Sequence, residues 1–220
     1  MAEATVFREK ALLGQAGMLY LGIILLGVTS EGFLRGGLID WSDGAATAAA
    51  IGAAEMRFRL SLGFDLAMAG FDVALAVLFY RLLRGIDETK ALMAMVFRLM
   101  QAAVIATGLM TLFAAGQAIE AGADPLPHLQ RHAAGYDLGL FFFGINALLM
   151  AGLLCRAGVP RLIAGGIGAA GLVYLAGSLT RFLAPDWNAA MQMAYVIPLV
   201  AETALMIWLL AASARAQGVE

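Results

Sequence analysis

Charge is scarce in this 220-residue chain: 14% of its residues are Asp, Glu, Lys or Arg, against 62% hydrophobic. A soluble domain carries about 25% charged residues and is about half apolar. That shortage, with a mean hydropathy of +0.84, excludes an ordinary soluble domain and places the chain in the membrane class. Cysteine is nearly missing. The lone Cys155 excludes an intrachain disulfide and any multi-thiolate metal centre. Basic clusters are missing as well: the formal net charge is −2, which leaves nothing for a nucleic-acid partner, since that needs a concentrated basic surface. No His-Glu-x-x-His, Gly-x-Ser-x-Gly or phosphate loop occurs. Composition and motifs therefore imply no cofactor, no metal and no named reaction.

Six long apolar runs are present, at about 11–34, 59–82, 91–116, 134–155, 161–183 and 190–212. Each approaches or exceeds the roughly 20 residues that a helix needs to cross a bilayer. Arg8 and Lys10 precede the first run as they would in a signal peptide, but Leu12 to Val28 is long and no small-x-small site ends it, so a retained span is expected. Pro, Gly and short polar residues punctuate the runs at Arg84–Glu88, Ala157–Pro160 and Pro185–Asn188. Between the first two runs, Trp41-Ser42-Asp43-Gly44 reads as a helix start with Ser42 or Asp43 as cap. The expected fold is all-α: one polytopic domain over residues 1–220, a six-helix transmembrane bundle with a short interfacial helix on its outer face.

The distribution of basic residues orients the bundle. With the N-terminus inside, eight cytosolic positions are basic (Arg8, Lys10, Arg81, Arg84, Lys90, Arg156, Arg161, Arg215) against five outside (Arg35, Arg57, Arg59, Arg131, Arg181). The excess favours both termini in the cytosol, and a bacterial inner (plasma) membrane is the default home. The 26 glycines lie scattered in the apolar runs, where small residues let helices approach closely. Lipids are the expected partners, and the Gly/Ala-rich faces suit a protein partner or a homo-oligomer.

Ionisable residues inside the runs are the candidate site. Asp72, Arg98 and Glu202 each fall roughly 12–20 Å from the nearest cytosolic flank at about 1.5 Å per residue. A charge at that depth costs at least about 2.5–3.5 kcal/mol unless it is paired or hydrated. Asp65 shares a helix face with Asp72 by seven-residue spacing, Gln101 with Arg98 by i,i+3, and Tyr195 with Glu202 by i,i+7. These faces are expected to meet, with Arg98 bridging to a carboxylate and two acids to one base leaving a proton to place. The site is then a binding place for a small ligand, a lipid group or a proton; the plainer alternative is a neutral ion pair that only docks helices. Phe71–Val77 echoes Ala201–Ile207, and Gly17–Leu21 echoes Gly171–Leu175. Chance matching of low-complexity apolar sequence explains such echoes more readily than a repeat.

A second set lies at the outer rim: Arg57, Arg59, Arg131, His132, Asp137 and Arg181. It makes that rim mildly cationic, suited to an anion or a lipid headgroup, though snorkelling arginines are the commoner case. His128 and His132 are four apart, a metal-ligand spacing. Pro125 and Pro127 disrupt a long helix there and no third ligand stands at a recognised offset, so two loop histidines are the plainer reading.

Several stretches resemble the bacterial membrane family catalogued as domain of unknown function 4386. They are Ser42–Thr47, Glu55–Arg59, Ala91-Leu92 with Phe97-Arg98-Leu99, Gly135–Gly139 with Phe142-Phe143-Gly144, and Glu202 with Trp208-Leu209-Leu210. The likeness runs in order along nearly the whole chain. It implies a small polytopic membrane protein and carries over no catalytic residue. The chain departs at Asp43-Gly44, where the family tends to read Gly-Asp. Three functions compete: a transport- or sensor-like binding protein, a structural or accessory subunit of a membrane complex, and a membrane-embedded enzyme with an outer-facing site.

Overall fold

The computed structural model describes residues 10–217, and Arg8 lies outside them. Among the described residues the fold is all helix, with no strand. Helix α1 (Lys10–Val28) continues through a π-helical turn, Thr29–Arg35, and a 3-10 turn, Gly36–Leu38. A short helix α2 (Gly44–Ala53) follows, then α3 (Glu55–Leu83), α4 (Glu88–Glu120), α5 (Leu126–Arg156), α6 (Arg161–Leu183), α7 (Pro185–Met191), a 3-10 turn (Gln192–Tyr195) and α8 (Val196–Gln217).

Six of these stretches are long and apolar enough to cross a membrane: Ala11–Leu38, Glu55–Leu83, Glu88–Glu120, Leu126–Arg156, Arg161–Leu183 and Pro185–Arg215. Most outrun the expected bounds. The fourth begins at Leu126 rather than near 134, because Pro127 sits in the first turn, where its missing N–H breaks no helical bond. The chain ends its helices with local signals. Asp43 caps α2 by accepting from the Ala46 N–H at 2.9 Å, as the sequence led us to expect. Asp87 caps α4 through the Lys90 N–H at 3.1 Å and also meets Arg156. Those bonds, the Lys90 N–H first, hold the Asp87 carboxyl below the usual aspartate range. Gly122 takes φ 71° just beyond α4, and the N–H groups of Gly122 and Ala123 return to the carbonyls of Ile119 and Ala118. Only glycine enters that left-handed turn without strain.

The six spanning stretches close into a ring. Chain neighbours α3 and α4, α4 and α5, and α5 and α6 pack together; α6 packs on α8, α8 on α1, and α1 on α3. An even number of spans leaves Lys10 and Gln217 at one end, called the terminal end here; Trp41, Gly122 and Ala184 mark the far end. Among the described glycines, the tightest approach of one helix to another's backbone is between α5 and α6. A Cβ on Gly144 would stand 2.9 Å from the Gly171 carbonyl oxygen, and one on Gly171 would stand 2.8 Å from that of Gly144. Large apolar side chains such as Met18, Phe33, Leu66, Leu172 and Ile207 are exposed around the outside of the ring. That is the expected arrangement when the solvent is lipid, so the bundle is a multi-pass membrane protein in contact with lipid.

Candidate functional site

All six spans contribute to one polar layer inside the ring. Arg98 Nη2 donates to Asp72 Oδ1 at 2.5 Å, with the two side chains 3% and 4% exposed. Gln101 Nε2 reaches the other Asp72 oxygen at 3.3 Å. The Arg98 guanidinium carbon lies 4.9 Å from the Phe143 ring centre, 5.4 Å from Tyr20 and 5.9 Å from Phe79. Three aromatic faces thus replace part of the water that the cation has lost. Asn146 on α5 donates to the Ala94 carbonyl on α4 at 2.7 Å, joining the helices at the same level.

Glu202, half-buried on α8, does not bond Arg98. It accepts from the Tyr174 hydroxyl at 2.5 Å, and the Tyr20 hydroxyl is placed to interact with both Glu202 and Arg98. A cavity between Arg98, Glu202, Tyr20 and Asn146 holds about 10 Å³, room for roughly one water. Among the described residues, Arg98 Nε and Gln101 Oε1 are buried polar atoms without a hydrogen-bond partner.

Asp65 and Tyr195 sit elsewhere, which corrects their expected placement. Seven residues put Asp65 about 10 Å from Asp72 along α3, and there it meets a different arginine. Arg35 Nη1 donates to Asp65 at 2.7 Å and to Ser61 Oγ at 3.2 Å, while Arg35 Nη2 meets Glu31. Arg35 is 2% exposed, so it is a second buried cation rather than a flanking one. The signal for it in the sequence is the i,i+4 spacing of Glu31 and Arg35 in the π turn, from which Arg35 turns inward while Glu31 stays exposed. Tyr195 parts from Glu202 because α8 starts only at Val196. Pro198 has no N–H to offer the Ala194 carbonyl, so an α-helix does not run unbroken past that point.

The far end holds the larger space. A cavity of about 550 Å³ opens between Glu31, Arg35, His132, Asp137, Arg181 and Tyr195, within the size range of small-molecule sites. Asp137 Oδ2 and Arg181 Nε face each other at 3.4 Å, with side chains 18% and 33% exposed. Ser178 donates to the Asp137 backbone carbonyl at 2.7 Å and locks α6 to α5 beside them. His132 is 6% exposed. Its Nδ1 lies 3.2 Å from the Gly108 carbonyl, an acceptor, so Nδ1 carries the proton in the neutral ring. Among the described residues Nε2 is buried with no partner. Tyr174 lines this cavity as well and hydrogen-bonds Glu202 of the inner layer.

Three of the rim residues do not join. Arg57 donates to the Phe33 carbonyl, and Arg131 is exposed. Arg59 pairs with Glu55 at 2.5 Å and Glu120 at 3.4 Å beside a separate groove between α2, α3 and α4. Only His132, Asp137 and Arg181 of that set share the cavity. His128 does not line it, and among the described residues no three His, Cys, Asp or Glu side chains gather as metal ligands.

No curated protein and no solved structure gives a significant match to this chain. The family described as Domain of unknown function (DUF4386) matches residues 15–212, and the chain belongs to that family.

Proposed function

We propose that this DUF4386 member is a ligand-binding membrane protein of sensor or transport type, with its ligand site in the far-end cavity. The observation that carries this reading is a cavity of about 550 Å³ walled by two buried groups, Arg35 and His132, and by the facing Asp137 and Arg181. A cavity with a few convergent polar groups inside a largely apolar frame is the usual form of a small-molecule site. The inner layer of Asp72, Arg98, Gln101 and Glu202 has room for about one water, which suits a proton or a water and no larger solute. The Tyr174–Glu202 bond joins the two levels, giving occupancy of the cavity a direct contact with the inner layer. We place the protein in a bacterial inner membrane with both termini cytosolic, so that the cavity opens to the outside.

The competing reading is an accessory subunit docked to a partner or to a second copy. It draws on the tight Asp72–Arg98 pair, whose surroundings fit a joint between helices. A screen of small cations, anions and neutral solutes against purified protein in detergent separates the two. Binding predicts that at least one class raises the midpoint of thermal unfolding, by mass action on the folded state. Ala133→Trp, at a cavity-lining position, abolishes that rise. Midpoints unmoved by every class count against binding and favour the accessory role.

A further inference from the structure

Charge bookkeeping at the cavity runs opposite to the cationic rim that the sequence suggests. Within and just behind the wall stand Glu31, Asp65 and Asp137, against Arg35 and Arg181. The formal balance is one negative charge. Both arginines already have carboxylate partners, Arg35 two of them. An incoming anion meets no free cation here and adds to the excess.

His132 supplies an independent indication. With Nδ1–H given to Gly108, the other ring nitrogen of the neutral ring is a bare acceptor, and it is buried without a donor. An unpartnered buried acceptor is costly to leave empty, and a donor from a ligand in the cavity relieves it. Asp137 and Glu31 also only accept when ionised. The aromatic rings of Tyr136, Tyr174, Tyr195 and Trp41 also line the cavity, and ring faces attract ammonium groups.

We propose that the cavity binds a small organic ammonium ion carrying N–H donors, a protonated amine. This rests on the binding reading above and gives its ligand class. The ammonium donates to His132 Nε2 and to the carboxylates of Asp137 or Glu31, while its apolar part lies against the tyrosines. One positive charge brings the balance to zero.

Titration calorimetry of the purified protein at neutral pH, with benzylammonium, benzyl alcohol and benzoate, tests the assignment, since the three share a ring and differ in charge. Benzylammonium binds at least about tenfold more tightly than the other two. Asp137→Asn weakens it by about tenfold, and His132→Phe, where it folds, does the same. Benzoate or benzyl alcohol binding as tightly as the amine overturns the ammonium assignment while leaving the cavity as a binding site. Unchanged amine affinity in Asp137→Asn also overturns it. No binding by any of the three overturns the assignment, and the wider solute screen with Ala133→Trp then decides the binding reading separately.

Discussion

A guanidinium inside a membrane helix is tolerated only through its neighbours, and Arg98 shows what those must be. Its carboxylate partner lies at 2.5 Å and three aromatic rings stand within 6 Å. Removing one partner leaves the other charge buried and uncompensated, whereas removing both removes the desolvation penalty with them. Arg98→Ala is therefore expected to lose about 3–5 kcal/mol of stability. The double change Arg98→Met with Asp72→Leu recovers most of that loss. Reversible denaturant unfolding in detergent measures both, and a double variant as unstable as the single one would sink the idea. Glu202 follows a different logic, held by a tyrosine hydroxyl rather than by a cation. Sequence spacing placed Asp65 with Asp72 and Arg98 with Gln101 on shared helix faces; it carried no information that Glu202 would bond the Tyr174 hydroxyl rather than Arg98.

The elements are set by local rules that a reader of the chain can apply, until two elements touch. Asp43 and Asp87 act as caps because their side chains accept from N–H groups that have no helical partner. Pro127 and Pro198 each lie in a first helical turn, yet only Pro198 coincides with a change of helix type upstream. That change moved Tyr195 out of the inner layer and into the cavity wall. Helix packing is less legible, because 26 glycines look alike in sequence. On α5, a Cβ on Gly144 would stand 2.9 Å from the Gly171 carbonyl oxygen of α6, whereas a Cβ on Gly152 meets nothing within 4 Å. Gly144→Ala should push the helices apart and cost about 1–3 kcal/mol. Gly152→Ala should be neutral or stabilising by up to about 1 kcal/mol, through helix propensity. Thermal unfolding of the two variants side by side checks this; equal midpoints would refute the close crossing.

At the scale of the molecule, six alternating spans close by docking the first against the last. Residues far apart in the chain become neighbours in one layer: Tyr20, Asp72, Arg98, Phe143, Tyr174 and Glu202 each come from a different span. The two echoes in the sequence supply four of these six, Tyr20 with Tyr174 and Asp72 with Glu202. The ring also places Lys10 and Gln217 at one end and the cavity at the other. With the termini cytosolic, a cysteine placed at Ala133 in a Cys155→Ser background is labelled by a membrane-impermeant maleimide added to intact cells. Reporter fusions at the termini are active only in the cytosol. Labelling that requires broken cells, with fusions active outside, inverts the proposed topology.

Composition and hydropathy by themselves determined that the chain crosses a membrane six times as an all-helical bundle. Apolar length is a one-dimensional property, and a backbone in lipid has to satisfy its own hydrogen bonds. Spacing along a helix likewise placed Asp72, Arg98 and Gln101 on surfaces able to meet. Only the tertiary structure decided which partner each acid has. Asp65 belongs to Arg35, Glu202 to Tyr174 and Asp137 to Arg181, since partnership depends on which faces the closed ring turns inward. It also decided where empty space remains. A cavity is what several helices together fail to fill, and no single stretch of sequence records it.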